Sequence, residues 1–303
     1  MIEKNGDELT SLRVLYLHGI GGPGCSSFER RVHVPLLRRA CGEVVAPNMR
    51  TGRLSGKHSV LRHIFKQRLL WSWAAAATAA FAGSWRSGFG LPGLAAAASA
   101  ALGFAAALRK RVLQGAIDDA LATSLAIARQ VLLHAEVDAV VGYSWGGAVA
   151  HLLAASGDWE GPMLLVAPAI DQLVIRSPRW RGFKPPATAS SGCIQTLVGD
   201  SDGRVRPGPL RSWGMQHGAP VTVVAGAGHL FGARDNECEH LLASLRLAVS
   251  AAGPVPLGGW TSKEARTRPR RPRLWEQACG TASTLSHPPP AEPRDPRLER
   301  HLL

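Results

Sequence analysis

Short apolar runs rich in β-branched residues alternate along the chain with longer stretches whose apolar positions recur every three or four residues. Apolar runs without strict alternation suit strands buried on both faces, as in a parallel sheet, and the intervening spacing is helical. Strands are predicted over 12–17 (LRVLYL), 43–47 (EVVAP), the run holding Val137, Val140 and Val141, 162–168 (PMLLVAP), 193–198 (CIQTLV) and 220–225 (PVTVVA). Between them, Ser26 or Ser27 can cap a helix over about 28–40, which Pro35 would kink or restart. The residues Ile117, Leu121, Leu125, Ile127 and Val131 mark a helix over 112–133, and further helices are expected over 148–155 and 236–249. Strands that alternate with helices predict an α/β fold with a mostly parallel central sheet and helices on both faces.

Two segments depart from this alternation. Between the second strand and the helix at 112, two Ala-rich apolar stretches, 69–85 and 88–108, are separated by Arg86 and flanked by Arg62, Lys66 and Arg68 before and Arg109, Lys110 and Arg111 after. They read as a helical hairpin inserted over 60–110. A spanning helix needs about 20 apolar residues, which the second stretch reaches and the first barely does. Positive flanks on both sides suit a hairpin whose ends stay cytoplasmic, and Trp71, Trp73 and Trp85 suit interfacial positions. The competing reading is an Ala-rich cap over the domain, because alanine favours helix but is only weakly hydrophobic. The Gly90-Leu91-Pro92-Gly93 break also weakens a straight second span. From residue 253 Pro, Arg, Ser and Thr take over, which leaves little to bury and predicts a disordered tail over 253–303. The expected organisation is therefore a polar segment 1–11, a domain 12–252 carrying the insertion, and the tail.

Composition changes this picture in three places. The net charge of +13 and pI near 10.5 would suit a nucleic-acid partner, but the basic residues are dispersed and no nucleic-acid-binding signature accompanies them, so that role is disfavoured. Five scattered cysteines without a C-x-x-C pair fit a reduced, intracellular compartment. The polar first 11 residues, with Glu3, Asp7 and Glu8, do not read as a secretory signal. The expected location is cytoplasmic, with attachment to the inner face of a membrane if the hairpin anchors the chain. No metal-ligand spacing occurs, so no cofactor is expected.

The chemistry concentrates at Gly142-Tyr143-Ser144-Trp145-Gly146-Gly147, where an apolar strand meets a helix. With 33 glycines in the chain the pattern G-x-S-x-G alone is weak, and its strand-turn-helix setting gives it weight. A serine hydroxyl needs a base to become a nucleophile. His229, in Ala225-Gly226-Ala227-Gly228-His229 just after the last strand, is the histidine best placed for it. The aspartates after preceding strands are candidate orienting acids, ranked Asp202, then Asp200, then Asp171, each of which could equally be a turn former. The glycine-rich loop from His18 lacks both the G-x-G-x-x-G spacing and the Walker lysine, so a nucleotide is disfavoured.

These motifs, His18-Gly19, the elbow at Ser144, the acid loop Gly199-x-x-Asp202-x-x-Val205 and Gly228-His229, resemble the α/β-hydrolase family in type and order over residues 12–249. The resemblance implies an α/β-hydrolase fold with Ser144 as nucleophile, His229 as base and Asp202 as the acid that fixes its tautomer. It further implies an oxyanion hole from the backbone N–H groups of Trp145 and Ile20, with Gly21 as an alternative to Ile20. The expected activity is hydrolysis of an ester or thioester through an acyl-enzyme, on a small-molecule or lipid-like acyl substrate, with membrane association through 69–108. The alternative is a non-catalytic hydrolase-like scaffold that binds a membrane or partner through the hairpin and basic tail.

Overall fold

The computed structural model describes residues 9–20, 27–51, 91–175, 177, 179–180 and 193–253. The chain divides into a unit Met1–Arg266 and a tail unit Thr267–Leu303, and the described residues all belong to the first. Its elements run β1 (Arg13–Leu17), α1 (Ser27–Arg31), α2 (His33–Ala40), β2 (Glu43–Val45), α3 (Leu91–His134), β3 (Ala139–Tyr143) and α4 (Trp145–Ala155). They continue with β4 (Met163–Val166), a π-helical turn Asp171–Ile175, β5 (Ile194–Gly199), α5 (Pro207–His217), β6 (Val221–Val224) and α6 (Asp235–Ala252).

The strands form one sheet in the order β2-β1-β3-β4-β5-β6, and every neighbouring pair is parallel. Burial explains the strand sequences. β3 and β4 lie in the middle of the sheet and all their residues are buried, which is why their sequences are apolar without a break. Side chains of alternate sign feed two separate cores. Leu15, Leu17, Val140, Met163 and Leu165 pack with α3 and α4 residues such as Leu121, Leu125, Val149 and Leu152. Val14, Tyr16, Val141, Leu164 and Val166 pack with Leu37 of α2 and Leu241 and Leu245 of α6. Helices thus cover both faces, as the sequence pattern predicts.

Three elements differ from their sequence expectation. The helix expected over 28–40 breaks at Val32 into α1 and α2, which places Pro35 in the first turn of α2, where its missing N–H costs no hydrogen bond. Helix α5, between β5 and β6, was not anticipated, although Pro207 at its start is a usable signal.

The third difference concerns the insertion: the helix expected over 112–133 does not begin there, because α3 runs unbroken from Leu91, within the stretch 88–108, to His134 for 44 residues. Pro92 falls in its first turn, and Arg109-Lys110-Arg111 are good helix formers, so nothing between them stops the helix. At 1.5 Å per residue such a helix is about 65 Å long. The other half of the expected hairpin, 69–85, and most side chains of 91–109 lie outside the described residues, as do the tail and residues 1–8. Among the described residues no helix is long and apolar enough to cross a membrane.

Candidate active site

The end of β3 places Ser144 in an unusual backbone conformation, with φ 52° and ψ −109°. Such a conformation costs a non-glycine residue about 1–3 kcal/mol and persists only where its surroundings over-determine it. Here the Ser144 N–H donates to the Val166 carbonyl at 2.9 Å, while its own carbonyl accepts from Ala148 at 3.2 Å and from Ala169 at 3.1 Å. β4 and α4 together clamp the turn.

Glycine is required on both sides of this serine. A Cβ at Gly146 would collide with the Leu17 carbonyl and lie 2.9 Å from that of His18, and one at Gly142 would lie 2.6 Å from the Gly146 carbonyl oxygen. These neighbours are backbone, which cannot rotate away. Gly146→Ala is therefore expected to destabilise the fold by about 3 kcal/mol or more, at the upper end of overpacking costs. Thermal unfolding checks this, and a melting temperature within 2 °C of wild type, roughly the shift that 0.5–1 kcal/mol gives in a chain of this size, would refute the close-contact argument.

From the elbow a line of hydrogen bonds crosses to the ends of β6 and β5. Ser144 Oγ lies 3.2 Å from His229 Nε2, and His229 Nδ1 lies 2.9 Å from Asp202 Oδ2. The other carboxylate oxygen, Asp202 Oδ1, accepts the N–H groups of Arg204 and Val205, both at 2.8 Å. The carboxylate is thus fully occupied and can accept only the imidazole Nδ1–H on its free side, which leaves Nε2 unprotonated toward Ser144. Asp202 is the only one of the three candidate acids whose carboxylate meets His229 in this way. Asp200 instead receives Ser201 Oγ at 2.9 Å and the Gly226 N–H at 2.8 Å, which ties the acid loop to the base loop, and Asp171 opens the π-helical turn after β4.

Burial pushes the Asp202 carboxyl up, but the hydrogen bonds from His229, Val205 and Arg204 and the His229 charge together outweigh it and hold the group below its ordinary value of 3.8. A carboxylate with a lowered folded-state value stabilises the fold above its unfolded value, and that contribution disappears as pH falls through the folded value. The stability difference between wild type and Asp202→Asn is accordingly expected to be greatest above about pH 5 and to shrink as pH drops below 3.8. Urea unfolding across this range measures it, and a difference independent of pH would argue against the assignment.

The loop after β1 runs beside the serine. A Cβ at Gly19 would lie 3.4 Å from Ser144 Cβ, so the backbone of this loop is within reach of a group bound to Oγ. Its orientation is set from several sides. The Gly19 N–H donates to Glu29 Oε1 at 2.6 Å, and the Gly19 carbonyl lies 2.8 Å from His18 Nδ1. Met49 N–H donates to His18 Nε2 at 3.0 Å, so Nδ1 carries the ring proton and gives it to Gly19. Among the described residues no peptide bond is cis. In a trans peptide the N–H opposes the preceding carbonyl, so the Ile20 N–H points away from His18. Trp145, the first residue of α4, contributes a second N–H with no acceptor inside its helix. Gly21, the alternative second donor, lies outside the described residues.

The sequence did not reveal the buried groups behind these loops. Tyr143 donates its hydroxyl to the His229 carbonyl at 2.8 Å, and burial, with the nearby Glu29 and Asp202 charges, pushes that hydroxyl well above its ordinary value, so it stays a donor. His33 donates Nε2–H to the Phe231 carbonyl, while its Nδ1 lies 2.7 Å from the Tyr16 hydroxyl, which in turn lies 3.2 Å from Glu29. This buried chain links the loop after β6 to the loop after β1. Burial lowers the His33 value despite the opposing effects of Phe231 and Glu29, which keeps the ring neutral. The partners are 10 to 198 residues apart in sequence, and no local signal joins them.

The strand order β2-β1-β3-β4-β5-β6, with a strained serine after central β3 and the acid and base loops after β5 and β6, decides the architecture. The chain has the α/β-hydrolase fold. The sequence matches no family model and no curated protein. Solved structures similar to this hydrolase-fold chain include a protein from Xanthomonas campestris pv. campestris ascribed to the α/β superfamily of hydrolases, 14% identical over 79% of this chain and 96% of that one, with a TM-score of 0.44. TT1662 from Thermus thermophilus is 18% identical over 80% and 91%, with a TM-score of 0.42. Dienelactone hydrolase from Anabaena variabilis is 15% identical over 81% and 88%, with a TM-score of 0.41.

Proposed function

We propose that this α/β-hydrolase-fold chain is a serine hydrolase that cleaves an ester or thioester through an acyl-enzyme on Ser144. The observation that carries the reading is the continuous line from Ser144 Oγ through His229 to Asp202, at 3.2 and 2.9 Å, with each proton's direction determined by its partners. A scaffold that performs no chemistry has no use for a serine at φ 52° or for a carboxylate bonded on three sides. In the proposed mechanism Oγ attacks the acyl carbon as His229 Nε2 takes its proton, and Asp202 stabilises the imidazolium that forms. Negative charge on the former carbonyl oxygen is met by the N–H groups of Trp145 and Ile20. Collapse breaks the bond to the leaving alcohol or thiol, which takes the proton from His229. Water, deprotonated by the same nitrogen, then attacks the acyl-enzyme and releases the acid.

An apolar acyl group is the favoured substrate class. Ile20 and Leu230 each adjoin a working residue, one after Gly19 and the other after His229, and they are 59% and 57% exposed. Large apolar side chains left bare beside polar machinery are what an acyl chain would cover.

Labelling with a fluorophosphonate probe, followed by a panel of p-nitrophenyl esters and acyl thioesters of increasing chain length, tests the reading. Labelling of wild type, its loss in Ser144→Ala and turnover that rises with acyl length are the expected results. A folded wild type that takes no label would favour a non-catalytic scaffold.

A further inference from the structure

We propose that Ser124, on α3, is a positioning residue that fixes the distance between the two oxyanion donors. The inference rests on the serine-hydrolase reading above and extends it to a residue that touches neither substrate nor the reacting atoms. The observation is a second line of hydrogen bonds, separate from the one that joins Ser144, His229 and Asp202. Trp145 Nε1 donates to Ser124 Oγ at 3.1 Å, and Ser124 Oγ donates to the Met49 carbonyl at 3.1 Å. Met49 N–H donates to His18 Nε2 at 3.0 Å, and His18 Nδ1–H donates to the Gly19 carbonyl at 2.8 Å.

Every proton in this line has one allowed direction. An indole N–H can only donate, and a backbone carbonyl can only accept, so the Ser124 hydroxyl must accept from Trp145 and donate to Met49. A backbone N–H can only donate, so His18 must accept at Nε2 and donate at Nδ1. The line therefore starts on the residue whose backbone N–H is one oxyanion donor and ends on the peptide whose N–H, Ile20, is the other. Trp145, Ser124, Met49 and His18 are all inaccessible to solvent. Water cannot replace a lost link there, so a break leaves buried groups unsatisfied and the loop without its restraint.

Ser124 is the link that joins Trp145 to the rest of the line. Its hydroxyl serves both neighbours, and without it the Trp145 indole and the Met49 carbonyl each lose their bond in this line. The loop after β1 makes its other contact through Gly19 N–H and Glu29, which restrains the preceding peptide and not the one that carries the Ile20 N–H. Rotation of the Gly19–Ile20 peptide is thus opposed from the α3 side by this line alone among the described bonds. A donor that can turn away offers less to the developing charge, although substrate binding itself is unaffected. The effect belongs in kcat.

The test measures p-nitrophenyl butyrate hydrolysis with active sites counted by stoichiometric fluorophosphonate titration, on wild type, Ser124→Ala and Ser124→Thr, with melting temperatures alongside. Removing an oxyanion donor outright lowers kcat by about 10²–10³. Loosening one is expected to lower kcat per titrated site by about tenfold in Ser124→Ala, with KM within about threefold, and Ser124→Thr, which keeps the hydroxyl, is expected to recover most of it. Inhibition by a trifluoromethyl ketone, whose adduct places an oxyanion in the same site, is expected to weaken in parallel with kcat.

A purely structural role would lower the melting temperature and the titratable fraction while kcat per titrated site stays within twofold of wild type, and that result overturns the proposal. So does a Ser124→Thr protein that falls as far as Ser124→Ala. Where Ser124→Ala is not recovered folded, Ser124→Cys, whose thiol is a much weaker donor and acceptor at nearly the same shape, takes its place under the same criterion. A folded wild type that takes up no fluorophosphonate overturns the serine-hydrolase reading and this inference with it, whereas a labelled wild type with unchanged Ser124→Ala turnover overturns the inference alone.

Discussion

Ser144→Ala is expected to lower kcat on an activated ester by about three orders of magnitude or more while the protein keeps its fold. The magnitude follows from the way the site is built. His229 Nε2 faces Ser144 Oγ at 3.2 Å, and with the hydroxyl gone it has nothing to activate except water held less precisely than a covalently attached oxygen. The backbone N–H groups of Trp145 and Ile20, the proposed oxyanion donors, survive the change, so a small residual acceleration over water is expected to remain. Ser144→Gly is expected to be equally inactive but more stable, by about 1 kcal/mol, because glycine accepts φ 52° without the penalty that serine carries. Active-site titration and thermal unfolding of the two variants check both halves. Retained turnover in Ser144→Ala would remove the serine from the mechanism, and equal melting temperatures would remove the strain from the account of the elbow.

Asp202→Asn is expected to cost about 10⁴ in kcat, more than its small change in shape suggests. The Arg204 and Val205 N–H groups both point at Oδ1, so the asparagine carboxamide oxygen is drawn to that side and its NH₂ is turned toward His229. Two N–H groups cannot face each other, and the imidazole must then accept at Nδ1 and carry its proton on Nε2. That is the tautomer that cannot receive a proton from Ser144. A pH–rate profile separates this from simple loss of charge: raising the pH is expected to leave kcat low. Recovery of kcat at alkaline pH to within tenfold of wild type would count against the tautomer argument.

Much of this arrangement was legible before any tertiary contact. The apolar runs at β3 and β4 are buried on both faces, so their sequences carry no polar interruption and predict parallel strands directly. The elbow is also a local feature, since collisions across only a few residues, such as Gly142 with the Gly146 carbonyl, demand glycine at fixed spacing. The resemblance to the α/β-hydrolase acid loop, through Gly199 and Val205, favours Asp202 over Asp200, and in the structure the Asp202 carboxylate accepts the N–H groups two and three residues onward. Helix α3 departs from the sequence expectation for a reason just as local: the basic triplet 109–111 separates two apolar stretches without stopping a helix, and Pro92 falls in the first turn, where it is tolerated.

What the sequence by itself determined therefore has its physical cause within a turn or a strand: the alternation of elements and the glycine-flanked serine at the end of an apolar strand. What only the tertiary structure decided is which of these meet and what holds them there. Ser144 and His229 are 85 residues apart, Ser124 and Met49 are 75, and His33 and Phe231 are 198. A hydrogen bond between distant residues leaves no periodicity in the chain, because each partner satisfies its local geometry whether or not the other is present. Its direction and its cost when broken come from burial in the assembled sheet and helices, where water is excluded and a single hydroxyl can set the spacing of two loops.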